Sequence, residues 1–227
     1  MPPLLNIPAR TTDLTAAQQA GELVLSWTLP GETTEGFPLK DLDRVVVWGL
    51  EVEAGPPEPA VFAGRARPLT TLDRPLGDDR AAGRHVDHRL PLPVAAGKRV
   101  ALAVENISRR GRTEGLSNMV VVEVAPLVAA PQTLRATTQA NAIRIEWTQT
   151  PGARGYRVFR RAPPGAPPVA VASTAEPSFE DPDFRWGQRY AYFVRAYVTT
   201  STGDAESADS SVVEVAPEDT FPPSPPE

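Results

Sequence analysis

Leu23-Val24-Leu25-Ser26-Trp27 and Ile143-Arg144-Ile145-Glu146-Trp147 read alike. In each, large apolar residues fall on every second position and the run ends on tryptophan. Period two puts Leu23, Leu25 and Trp27 on one face and Val24 and Ser26 on the other. That alternation marks a half-buried antiparallel strand. Tyr190, Tyr192, Val194 and Ala196 share a face in a third such run. No segment holds a 3.6-residue period through three turns. Thr12 to Ala20 is the only stretch of helix-like composition, and it is short.

The match extends along the chain. Val45-Val46-Val47-Trp48 answers to Tyr156-Arg157-Val158-Phe159. Gly97 to Val104 answers to Gly187 to Val194, and Val121 to Pro126 answers to Val212 to Pro217. Four matches in one order make an internal repeat, so the chain is a tandem of two β units. Gly187 follows Trp147 by 40 residues, whereas Gly97 follows Trp27 by 70. Unit one therefore carries about thirty extra residues, some nine before Trp48 and the rest after it. The added stretch, Gly55 to Gly83, is rich in Pro, Gly, Arg and Asp. It reads as loop with Ala60-Val61-Phe62 as an edge strand.

These matches set the boundaries. Residues 1–125 form unit one, 126–217 form unit two, and 218–227 form a Pro-rich tail. Pro126 and Pro131 stiffen a short linker, so restricted rather than free interdomain motion is expected. Leu127 and Val128 are expected to pack at that elbow. The tail contains Phe221-Pro222-Pro223-Ser224-Pro225-Pro226 and is expected to be polyproline II or irregular.

Composition excludes several classes. Of 227 residues 26 are proline, 41% are hydrophobic and none is cysteine. Disulfides, thiolate metal sites and thiol catalysis are therefore out. No apolar run approaches the ~20 residues of a membrane helix. The net charge of −5 comes from interspersed signs, which gives no basic surface for nucleic acid. Arginine far outnumbers lysine, and with abundant Ala and Pro this suggests GC-rich bacterial coding. No signal peptide is legible at Met1-Pro2-Pro3.

The residues quoted above resemble the fibronectin type III family in its bacterial form, over most of residues 5–217. Trp147 stands where the family keeps a core tryptophan. Tyr156 to Arg161 resembles its third strand. Phe179-Glu180-Asp181, Gly187 and Tyr190 to Ala196 resemble its fifth and sixth. The resemblance implies an all-β chain of two immunoglobulin-like Greek-key sandwiches, three strands on four. It also implies that Tyr190 is a tyrosine corner, its hydroxyl tied to nearby backbone. Val100 holds that position in unit one, so the corner is absent there. The opening, Pro2 to Leu14, resembles the segment after the lipidated cysteine of some bacterial lipoproteins. That implies membrane attachment only through a removed N-terminal lipid anchor.

Candidate sites are few. His85 and His88 are the only histidines. Positions i and i+3 of a strand point to opposite faces, so they do not share a metal ion. Asp78-Asp79 and Asp181-Pro182-Asp183 read as solvated turn carboxylates. Asn106-Ile107-Ser108 is a glycosylation sequon read as chance. Arg109, Arg110 and Arg112 lie in the loop between the last two strands of unit one and are candidates for an acidic partner or anionic glycan. Trp48 is a candidate for partner contact or sugar stacking, and Trp186 reads as covering a sandwich end. No nucleophile elbow, P-loop or dinucleotide fingerprint is present.

The expectation is a non-catalytic, extracytoplasmic binding or spacer module, monomeric and without cofactor or metal. Its partner is a protein or a glycan, with a periplasmic or cell-surface location. The alternative is a glycan-binding accessory module of a carbohydrate-active system.

Overall fold

The computed structural model describes residues 6–39, 42–74 and 83–218. Asp78-Asp79, the residues before Asn6 and the tail after Glu218 lie outside the described residues. The chain divides into two compact units with the break after Pro126.

Unit one contains β1 (Thr15–Gln19), β2 (Glu22–Thr28), β3 (Leu42–Val52), α1 (Pro59–Arg65), β4 (Arg67–Asp73), β5 (His85–Pro91), β6 (Arg99–Ser108) and β7 (Val120–Glu123). Strands β1-β2-β5 make one antiparallel layer and β4-β3-β6-β7 the other. The alternation read from the sequence sets the layers. Leu23, Leu25 and Trp27 point inward and meet Val45, Val47, Val100, Leu102 and Val104 in one core. A buried tryptophan removes about 150–250 Å² from water, worth at most ~4–6 kcal/mol.

Thr12 to Ala20 is not helical. Its helix-like composition yields to pairing, because β1 closes a hairpin on β2 with Gln19 opposite Glu22. The two turn residues, Ala20 and Gly21, have φ of 52° and 84°. Two positive φ values in a two-residue loop match the right-handed twist of the flanking strands. The expected edge strand Ala60-Val61-Phe62 is also overturned, since these residues lie in α1. Pro59 sits in the first helical turn, where its missing N–H costs nothing. Among the described residues, the strand of this insertion comes later, at β4.

Two side-chain amides tie the first strand region to the last. Leu14 N–H donates to Asn118 Oδ1 (3.0 Å), and Asn118 Nδ2 donates to the Leu14 carbonyl (2.9 Å). Gln18 does the same with Ala125, at 3.0 and 2.8 Å. Each amide stands in for one peptide unit of a β-ladder.

Unit two contains β8 (Gln132–Thr138), β9 (Ile143–Thr148), β10 (Gly155–Arg161), β11 (Val169–Thr174), β12 (Ser178–Asp181), β13 (Tyr190–Thr200), β14 (Gly203–Glu206) and β15 (Val213–Val215). Strands β12-β9-β8 face β11-β10-β13, with β14 and β15 also on β13. Trp147 packs edge-on to Tyr156, centroids 5.2 Å apart, among Ile143, Ile145, Val158, Tyr190, Tyr192 and Val194. Val128 packs against this core, while Leu127 is exposed. The tyrosine corner is formed: Arg185 N–H donates to Tyr190 Oη at 2.8 Å. Val100 fills that place in unit one and is buried without any such bond.

Trp147→Ala should unfold unit two and leave a transition for unit one, because it leaves a cavity worth ~3–5 kcal/mol. Tyr190→Phe should cost about 1 kcal/mol. Calorimetry reads both, and an unchanged profile for Trp147→Ala contradicts the core assignment.

Candidate functional site

The two units differ most on the outer face of the larger sheet. Their central strand pairs have the same register. Val47 faces Val104 and Trp48 faces Ala103 in unit one; Val158 faces Val194 and Phe159 faces Phe193 in unit two. Inward positions are apolar in both, as a sandwich requires. The outward positions are also apolar, which demands a second cover.

Unit two covers its outer face with its own side chains. Phe159 and Phe193 stack with centroids 4.8 Å apart and planes 5° from parallel. Arg195 lies over Phe159 at 4.6 Å and Arg161 over Phe193 at 5.4 Å. Arg195 also donates to Glu206 at 3.0 Å. The Arg195 guanidinium thereby lies on an aromatic ring and pairs with carboxylates at once.

Unit one has Ala103 in place of Phe193 and Glu105 in place of Arg195. The two small residues Ala101 and Ala103 leave room, and Phe62 from α1 fills it. Phe62 is 0% exposed. Its burial is worth ~1.5–3 kcal/mol and holds the helix on the sheet. Trp48, Leu50, Leu116 and Met119 surround it. Trp48 Nε1 donates to Glu105 Oε2 at 3.0 Å, which fixes the indole edge and leaves the ring half-buried.

The helix does not seal this face. A groove of about 530 Å³ remains beside it, lined by Trp48, Phe62, Glu105, Leu116, Met119 and Arg10. Glu114 joins the lining, and its Oε2 accepts from Arg10 N–H at 2.7 Å. Two further hollows flank α1, of about 820 and 750 Å³. The inserted segment is thus where unit one acquires concave surface.

Of the residues singled out in the sequence, Trp48 lies in this groove and the turn arginines are not among its lining. Arg109 and Arg110 are exposed and Arg112 is half-buried, on a tight turn closed by Ser108 and Arg112. Gly111 there has φ 71°, a left-handed geometry suited to glycine. Arg10, Phe62, Glu105 and Met119 escaped sequence reading. The doubly apolar runs at Val45 to Trp48 and Val100 to Val104 were the available signal.

The other candidates resolve as follows. His88 lies opposite Leu25 on the inward face and His85 opposite Thr28 on the outward face. Among the described residues, no three metal-ligating side chains group around one point. The sequon Asn106 is 2% exposed, and its Nδ2 donates to the Ala9 carbonyl and Thr11 Oγ1. Glycosylation would require unfolding that region. Trp186 is partly exposed and packs edge-on to Phe184 at 4.8 Å.

Asp181 corrects its reading as a solvated turn residue. It is 2% exposed and accepts from Tyr192 Oη at 2.8 Å and Arg160 Nη1 at 2.9 Å. Asp183 N–H supplies a third donor at 3.0 Å. A buried carboxylate with three donors has its charge compensated, so this network links β10, β12 and β13. Asp183 stays exposed and takes the other arm of Arg160 at 3.0 Å. Burial first, then the bond to Asp181, pushes the Tyr192 phenol well above its ordinary value.

The folded chain therefore holds a proton that the unfolded chain releases above pH ~10. The stability that Tyr192 contributes is complete below that pH and is lost as pH rises beyond it. Tyr192→Phe should flatten the alkaline decline of unit two's melting temperature. An unaltered alkaline slope contradicts the role given to Tyr192.

No family model and no curated protein matches this sequence. Solved structures similar to it include the chicken CNTN1 FN1-FN3 domains, at 16% identity and TM-score 0.42 over 93% of this chain. The chain spans 66% of that structure's length. An Fn3-like protein from Clostridium thermocellum is similar at 25% identity and TM-score 0.32, over 38% of this chain and 92% of that one. In each unit a three-stranded layer faces a larger one, the central strand pairs share one register, and unit two adds the tyrosine corner, so the chain is a tandem of two β-sandwiches of fibronectin type III-like architecture.

Proposed function

We propose that this chain is a binding and spacer module acting outside the cytoplasm, and that its protein partner docks on the α1 face of unit one. One observation carries the reading. At equivalent positions unit two closes its outer face with Phe159, Phe193 and Arg195, whereas unit one leaves a groove beside Trp48. Trp48 anchors the partner there, and Arg109, Arg110 and Arg112 contact its acidic rim from the neighbouring turn. The tandem layout and the Pro126 and Pro131 linker support the spacer role.

A second reading is a glycan-binding accessory module. A half-buried indole next to two carboxylates, Glu105 and Glu114, is a surface on which a sugar ring could stack and donate hydroxyl hydrogen bonds. Glycan-array and polysaccharide pull-down measurements separate the two. Binding that Trp48→Ala or Arg110→Ala abolishes favours the glycan reading. With no glycan retained, crosslinking through the α1 face should capture a protein that Trp48→Ala loses by tenfold or more, roughly the effect of removing an aromatic anchor. Capture unaffected by Trp48→Ala contradicts the proposed surface. Fractionation of cells expressing the native gene tests the location, and recovery in the cytosol overturns it.

A further inference from the structure

An open sheet edge presents unpaired N–H and C=O groups and templates pairing with another strand, so edges usually carry charge or proline. Among the described residues, away from the first and last strands, each unit has two such edges: β4 and β5 in unit one, β11 and β12 in unit two. Three are protected in sequence. Strand β4 carries Arg67, Pro68 and Asp73; β5 carries Asp87, Arg89 and Pro91; β12 is four residues long with Glu180 and Asp181. Strand β11, Val169-Ala170-Val171-Ala172-Ser173-Thr174, has no charge and no proline. Val169 is 62% exposed.

We propose that β11 pairs with β11 of a second copy of this chain, antiparallel about a two-fold axis between Val171 and Ala172. The strand is complementary to itself. Val169 faces Thr174, Ala170 faces Ser173 and Val171 faces Ala172, so β-branched residues meet at the ends and each inner pair includes a small residue. A charge within the strand would oppose small or like neighbours, and there is none. The flanks carry opposite signs. Exposed Glu176 of one copy falls opposite Pro167 of the other, at the end where β10 finishes on Arg161. Pro167 and Pro168 stop the ladder, and the bulge opposite Val158 and Phe159 twists the edge. The pairing is therefore short, and a Kd on the order of 10⁻⁴ M is expected. This departs from the monomer expected from sequence.

Ala170 and Ser173 lie opposite Phe159 and Arg157 on the outward face, and both are exposed. In the proposed register they face one another across the axis. Ala170→Glu with Ser173→Glu sets glutamate against glutamate twice, and within one chain it places Glu beside Arg157. Sedimentation equilibrium on the full chain from ~10 µM to ~1 mM should show reversible dimers of the parent and about tenfold or more weaker association of this variant. Its melting profile should match the parent's. Ala170→Lys with Ser173→Lys should also fail to self-associate, and an equimolar mixture of the two variants should dimerise again. A parent that stays monomeric, a dimer that survives the double glutamate, or a mixture that does not recover overturns the proposal. Capture of a foreign extended peptide by a monomeric parent overturns it too, and assigns the edge to another protein's strand.

Discussion

The register of the central strand pair decides what each unit becomes. Hydrogen bonding between β3 and β6 sets Trp48 against Ala103, and the same alignment between β10 and β13 sets Phe159 against Phe193. The inward partners are fixed by the sandwich core. The outward partners are free to differ, and their difference in volume dictates the rest. Two phenylalanines stack and draw arginines over them. A tryptophan beside an alanine leaves a hollow, and the inserted helix supplies the missing aromatic as Phe62. The same face is therefore self-contained in unit two and concave in unit one.

The two sandwiches also close differently. Unit two has the tyrosine corner and a buried network of Asp181, Tyr192 and Arg160. Unit one lacks the corner and uses side-chain amides. Asn118 and Gln18 each replace a peptide unit at the seam between its first and last strands, while Asn106 holds the backbone of Ala9. These bonds span about a hundred residues of sequence. Each satisfies backbone groups that would otherwise be costly to bury. Unit one accommodates a long insertion because that insertion leaves the edges of the core and covers the outside of the sheet.

Much of the fold was legible. Period two at Leu23 to Trp27 and at Ile143 to Trp147 fixes which residues face the core, because a strand has only two faces. The repeat fixes the tandem, and the position of Tyr190 relative to Gly187 marks the corner. The helix at Pro59–Arg65 was not legible. Ala-Val-Phe is compatible with strand or helix, and only the space over Ala101 and Ala103 selects helix. Thr15–Gln19 failed the other way, since pairing with β2 overrides its composition. Asp181 looked like a turn residue because its partners, Tyr192 and Arg160, lie on other strands.

The sequence by itself determined the number of sandwiches and the inward face of each strand, since these follow from local period and internal repetition. Only the tertiary structure decided which outer face stays open and which candidates belong together. It placed Trp48 with Phe62 and Glu105 in one groove and buried the sequon Asn106. The reason is physical: a surface is concave or filled according to volumes contributed by residues far apart in the chain, and local pattern carries no record of that sum.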